Sequence, residues 1–249
     1  MTGTRYDQIG ISYTRTRRTD PRVAAQIYGA VGDARTIVNV GAGTGSYEPS
    51  GRDVVAVEPS PTMYRQRPAD AAPVVRASAE RLPFADRSFD AALAIFTVHH
   101  WTDTRRGLEE LRRVARRQVV LSYDALVEQD FWLVREYFPE MAALDAASSG
   151  YTSSEIARVL DVRSVEPVMV PADCLDGFAA CFWNRPEAYT DPDVQAGISG
   201  LARLDVEVRA RGTEHLRADL ASGVWDARFG SLRALTELDI GYRLLVAGE

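Results

Sequence analysis

The sequence predicts an α/β domain built on a doubly wound, mainly parallel sheet, and three observations carry that prediction. Short apolar runs recur at Thr36-Ile37-Val38-Asn39-Val40, Asp53-Val54-Val55-Ala56-Val57, Phe89 to Phe96 and Val119-Val120-Leu121. Segments with helical periodicity separate them, the pattern of βαβ units. At 249 residues, 46% hydrophobic and 26% charged, the chain is long enough to bury one large core.

Taken in order, residues 21–31 place Val23, Ile27 and Val31 on one helical face, with Pro21 in the first turn. The β-branched run from Thr36 to Val40 reads as a buried parallel strand. Gly41, Gly43 and Gly45 follow at once. Glycine supplies unusual backbone angles and exposes the chain to a ligand with no Cβ in the way, so a glycine loop at a strand's carboxyl end is a docking surface for a nucleoside. The second strand, Asp53 to Val57, ends on Glu58, a carboxylate placed to suit the two hydroxyls of a ribose. Ser60-Pro61 then starts a short helix. A third strand is predicted at Pro73 to Ala77 and a fourth at Phe89 to Phe96. A helix follows over Asp103 to Arg116, with Leu108, Leu111 and Val114 on its apolar face, aspartate first and arginines last. Val119 to Leu121 is the fifth strand.

From Asp124 the texture changes to helical pattern with concentrated aromatics, which reads as a cap. Within it, Val162 to Val170 alternates as a sixth strand near an edge, where Pro167 is tolerated. Leu238 to Val246 reads as a last strand. The division expected within a single domain of residues 1–249 is a lead segment and helix at 1–32, a nucleoside-binding half at 33–125, a helical cap at 126–160 and 171–237, and a last strand at 238–249.

Composition narrows the function. The formal charge is −6 with no basic run longer than an arginine pair, which argues against nucleic acid as partner. All 29 basic residues are arginine, so Schiff-base and lysine-base chemistry are excluded. The amino terminus lacks an apolar signal region and nowhere do eighteen apolar residues run together, so a soluble cytoplasmic protein with no membrane partner is expected. Cys174 and Cys181, seven apart in a helix-like segment, read as reduced core thiols. No metal is expected, because His100 and Asp103 lack a plausible third ligand.

Four blocks together resemble the class I S-adenosylmethionine-dependent methyltransferases of the small-molecule type, similar to the ubiquinone and menaquinone methyltransferase group. They are VNVGAGTG (Val38 to Gly45), VVAVEPS (Val54 to Ser60), ASAERLPFADRSFD (Ala77 to Asp90) and AIFTVHHW (Ala94 to Trp101), within residues 36–125. The resemblance implies a Rossmann-like seven-stranded sheet with a reversed last strand. It also implies S-adenosylmethionine as cofactor, S-adenosylhomocysteine as product and a small-molecule substrate. Carried over by position, Gly41, Ala42, Gly43 and Gly45 would pass beneath the methionine portion, and Glu58 would hold the ribose. Pro59 and Met63 would flank the adenine. Ala79 would offer it a backbone amide, with Glu80 beside its amino group and Ser78 where many relatives carry aspartate. Ala94 to Phe96 would lie against the methionine amine.

A nicotinamide dehydrogenase is the weaker alternative on fold grounds. The dinucleotide pattern requires glycine at position 46, where Ser46 stands, and a pyrophosphate needs a helix amino terminus that Pro49, Ser50 and Gly51 reduce to a stub of about one turn. Methyl transfer from a sulfonium needs alignment above all, and a base only when the acceptor must lose a proton. His99 and His100, just past the fourth strand, are the candidate bases, whereas His215 reads as a surface residue. Tyr13 and Arg18 of the lead segment are candidates for the methionine carboxylate. Trp132, Tyr137, Phe178, Phe182 and Trp183 are the candidate walls of an acceptor pocket, which points to an apolar or aromatic acceptor. Two further readings of the same fold are a cofactor-binding regulator or scaffold and an S-adenosylmethionine-dependent cyclase.

Overall fold

The computed structural model describes residues 17–124, 130–146 and 153–249. Seven strands form one sheet: β1 (Thr36–Val40), β2 (Asp53–Val57), β3 (Val74–Val75), β4 (Phe89–Ile95), β5 (Ala115–Tyr123), β6 (Val162–Pro171) and β7 (Glu237–Gly248), in the order β3-β2-β1-β4-β5-β7-β6. Neighbours are parallel except β7, which runs antiparallel to both β5 and β6. The doubly wound sheet is therefore as the sequence predicts, and its reversed last strand as the resemblance implies. Strand order reverses between β1 and β4, and in such sheets ligands bind in the crevice outside the strands' carboxyl ends at that point.

Successive side chains of a strand face opposite ways, so strands covered on both sides are apolar throughout. Ile37, Leu93 and Val119 point to a core completed by Val23 and Ile27 of α1 (Pro21–Val31). Val38, Ala92 and Val120 point to the other, completed by Leu108 and Leu111 of α3 (Thr104–Val114). Helix starts are set by side chains that accept otherwise orphaned N–H groups. Asp20 accepts from Arg22 N at 2.9 Å, Ser60 caps α2 (Pro61–Arg65), and Asp103 accepts from Arg106 N at 3.0 Å. After α4 (Glu140–Ala146), α5 (Ser153–Leu160) buries Ile156 and Leu160 against the α3 side of the sheet, so residues 153–160 lie with the sheet rather than with the cap.

Three local expectations change. The chain between β1 and β2 forms turns and no helix, not even the predicted stub. Pro49 removes one N–H and Gly51 takes φ 73°, while a nearly buried ion pair, Arg67 to Glu48 at 2.8 Å, fills the role of packing element. Arg67 also donates to the carbonyls of Gly43 and Ala72, and Glu48 accepts from Asn39 and Ala72. The segment holding Cys174 and Cys181 is a series of turns rather than helix-like, although both thiols are buried, with sulfurs 3.0 Å apart. The third strand is only two residues long. Between β6 and β7 the chain forms α6 (Pro192–Gly197), α7 (Ser199–Ala202), α8 (Val206–Ser222) and α9 (Val224–Phe229). Among the described residues no helix is long and apolar enough to cross a membrane.

Candidate active site

The carboxyl ends of β1, β2 and β4 open into one cavity of about 560 Å3, within the roughly 300–1,000 Å3 of small-molecule sites. Its floor is the glycine loop. Gly41 adopts φ 70°, and a Cβ there would fall 1.9 Å from Thr97 Oγ1, so glycine is required on both conformational and steric grounds. Glu58, 5% exposed, sits across from it at the tip of β2. One carboxylate oxygen accepts from Gly43 N and the other from Ser60 N, each at 2.8 Å. A carboxylate offers about four lone-pair sites, so two backbone donors do not exhaust it.

Beyond β4 the chain turns sharply. Phe96 takes φ 52°, a left-handed conformation uncommon for a bulky residue and concentrated at functional sites. A 3-10 turn at Val98–His100 then places two imidazoles side by side, ring centroids 3.7 Å apart, with His99 5.3 Å from the Tyr123 ring. A second, smaller cavity of about 60 Å3 lies on the far side of this turn, between it and Phe178, Met141 and Tyr242. Among the described residues the two cavities share four in their walls: Arg17, Phe96, His99 and His100.

The donor set favours a nucleoside without phosphates. The backbone N–H of Gly43, which a pyrophosphate would seek in a dinucleotide site, already donates to an anion, and no helix amino terminus follows the loop. A second phosphate charge beside Glu58 would be repelled, whereas a cationic sulfonium would not.

Comparison with known proteins agrees with this chemistry. A family model describing a methyltransferase domain matches residues 38–122. A demethylmenaquinone methyltransferase of Mycolicibacterium vanbaalenii is 33% identical over 139 residues, 54% of this chain and 60% of that one. Its counterpart from Renibacterium salmoninarum is 32% identical over 62% of this chain and 68% of that one. The chain thus spans between about three fifths and two thirds of the length of these two relatives. A crystal structure from Anabaena variabilis, named as a methyltransferase from an antibiotic biosynthesis pathway, superposes with TM-score 0.84 and 31% identity over 94% of this chain and 99% of that one. The chain belongs to the class I S-adenosylmethionine-dependent methyltransferases.

Within this methyltransferase, the structure brings together most of the residues that the sequence singles out. Gly41, Ala42, Gly43, Glu58, Pro59, Met63, Ser78, Ala79, Glu80 and Phe96 all line the larger cavity. Met63 closes the floor, its Cε 3.3 Å from where a Gly43 Cβ would stand. Glu80 also accepts from Thr102 N and Asp103 N at 2.8 and 3.2 Å, so its carboxylate holds the loop leading into α3. Two residues point elsewhere. Gly45 faces the Glu48–Arg67 pair, and Ala94, fully buried, faces the α3 core because alternation hands the cavity to Ile95.

The aromatic candidates divide. Phe178 lines the smaller cavity, 5.0 Å from Phe96 and 4.9 Å from Tyr242. Trp132, Tyr137, Phe182 and Trp183 do not: they pack in the core on the α1 side of the sheet, where indole and phenol groups find internal acceptors. Trp132 Nε1 donates to the Trp183 carbonyl, Trp183 Nε1 to the Val170 carbonyl and the Tyr137 hydroxyl to Asp219. Phe182 stacks edge-on with Tyr189. Tyr13 lies outside the described residues. Arg18 is exposed, and its neighbour Arg17 reaches the cavities instead. Tyr47, Tyr123, Asp176 and Tyr242 have no local signal in the sequence.

Proposed function

We propose that the protein transfers the methyl group of S-adenosylmethionine, seated in the larger cavity, to a small acceptor with an apolar or aromatic body whose reacting end occupies the smaller one. The single observation that carries this reading is the shared wall, since a donor and an acceptor chamber must meet at the atom transferred. S-adenosylmethionine supplies a methyl group on a sulfonium whose departure leaves a neutral thioether. Glu58 accepts the ribose hydroxyls, the Gly41 to Gly43 backbone passes beneath the methionine portion, and Pro59, Met63 and Ala79 enclose the adenine. Arg17, rather than Arg18, lines the wall that the two chambers share.

Phe96, Phe178 and Met141 exclude water from the junction, so positioning supplies most of the rate. His99 or His100 accepts a proton where the acceptor is a phenol or an acidic carbon, the role an imidazole is suited to. The relatives named as demethylmenaquinone methyltransferases lend the aromatic acceptor weight. The test is turnover with a panel of hydroxylated aromatic compounds and aliphatic amines. S-adenosylhomocysteine formed only when a phenolic or enolic ring compound is present supports the reading. No acceptor-dependent product across the panel, in protein shown to bind the donor, overturns it.

A further inference from the structure

Asp176 lies on the turn segment after β6, 1% exposed, and it touches neither cavity. Its carboxylate nevertheless draws two distant stretches of chain to its own. Arg17 donates to it through Nε at 2.7 Å and Nη2 at 3.3 Å, the Tyr47 hydroxyl at 2.7 Å, and the Arg18 backbone at 3.1 Å. Tyr47 ends the glycine-loop strap in the left-handed conformation, φ 63°, and burial together with this carboxylate pushes its hydroxyl pKa well up. The Arg17 guanidinium, itself nearly buried, lies 5.9 Å from the Phe96 ring centroid at the junction of the cavities. Among the described residues it is the one permanent cation in the wall of either cavity.

A cation buried beside the place where a sulfonium must sit would oppose binding unless matched by an anion held close. We propose that Asp176 is a positioning residue for methyl transfer: it clamps Arg17 at the junction and cancels its charge there, so that the junction admits the cationic donor as readily as the neutral product. The inference rests on the donor's seat proposed above. It also explains why the turns after β6 and the end of the glycine loop meet on one buried carboxylate.

The test compares S-adenosylmethionine with S-adenosylhomocysteine, which differ at the sulfur by one methyl and one positive charge. Calorimetry on the full chain gives the ratio of their dissociation constants, from which contacts common to both cancel. A unit change in charge at roughly 10 Å, through an effective dielectric of about 20 to 40, shifts such a ratio on the order of four- to seventeen-fold. Asp176→Asn should weaken the sulfonium ligand relative to the thioether by that factor, and Asp176→Asn with Arg17→Gln should bring the ratio back to within twofold of the parent. Equal weakening of both ligands by Asp176→Asn, or a double variant as skewed as the single, would show a merely structural role. If Asp176→Asn does not fold, Arg17→Gln alone leaves the anion and should move the ratio toward the sulfonium; an unchanged or opposite ratio overturns the proposal. Failure of the parent protein to bind either ligand would instead refute the donor seat itself.

Discussion

Replacing Glu58 by glutamine changes one oxygen to an amide and leaves the shape intact. In the parent, the two oxygens accept from Gly43 N and Ser60 N at 2.8 Å, and in the proposed seat they accept from the ribose hydroxyls as well. Glutamine has one acceptor oxygen, so one of the two backbone N–H groups faces an NH2, as does one ribose hydroxyl, and the remaining pair loses its charge assistance. Hydrogen bonds to charged groups contribute about 1.5–3 kcal/mol each. Loss of one therefore predicts a 10- to 150-fold weaker S-adenosylhomocysteine complex, at about 1.4 kcal/mol per factor of ten. The orphaned backbone N–H costs the free protein a further ~1–3 kcal/mol of stability, or roughly 2–10 °C in Tm for a chain of this size. Calorimetry with S-adenosylhomocysteine and thermal melting without ligand separate the two effects. Affinity within threefold of the parent, in a variant that melts normally, would refute the assignment of Glu58 to the ribose.

Gly41→Ala forces a Cβ to within 1.9 Å of Thr97 Oγ1 at φ 70°; the left-handed conformation alone costs about 1–2 kcal/mol, so both a lower Tm and at least tenfold weaker cofactor binding are expected, checked by melting and calorimetry. Arg67→Ala strips the partner from Glu48, whose side chain is 9% exposed, and should cost about 3–5 kcal/mol in urea unfolding; a loss below 1 kcal/mol would mean that the pair does not replace the missing helix. Glu110 is held below its ordinary value of 4.5 by hydrogen bonds from Arg113 against the pull of burial, with the Leu82 backbone adding to it. A lowered folded-state pKa contributes stability that is present above the unfolded value and lost as pH falls through the folded one. Glu110→Gln should therefore flatten the decline in urea midpoint below about pH 4.5, and an identical slope in the variant would contradict this.

Legibility followed the range of the interactions. The strands, the glycine loop and Glu58 are set by neighbours within a few residues, so periodicity and turn chemistry revealed them. The Arg17–Asp176 pair joins positions 159 apart, and nothing local to either residue signals it. Aromatic richness marked the cap but not the direction its rings face: only packing decides that Phe178 meets the cavity while Trp132 donates to the Trp183 carbonyl and Trp183 to the Val170 carbonyl. Ala94 was one residue out, because β4 is apolar on both faces and its alternation is silent in composition. The predicted helical stub after Gly45 failed because Glu48, which would sit within it, pairs instead with Arg67 from beyond α2.

The most direct test of the shared-junction account is the crystal structure of the protein with S-adenosylhomocysteine. Both ribose hydroxyls should lie within hydrogen-bond distance of the Glu58 carboxylate, and the sulfur should face the wall of Phe96, His99 and His100 toward the smaller cavity. Ribose away from Glu58, or a sulfur turned from that wall, would contradict it.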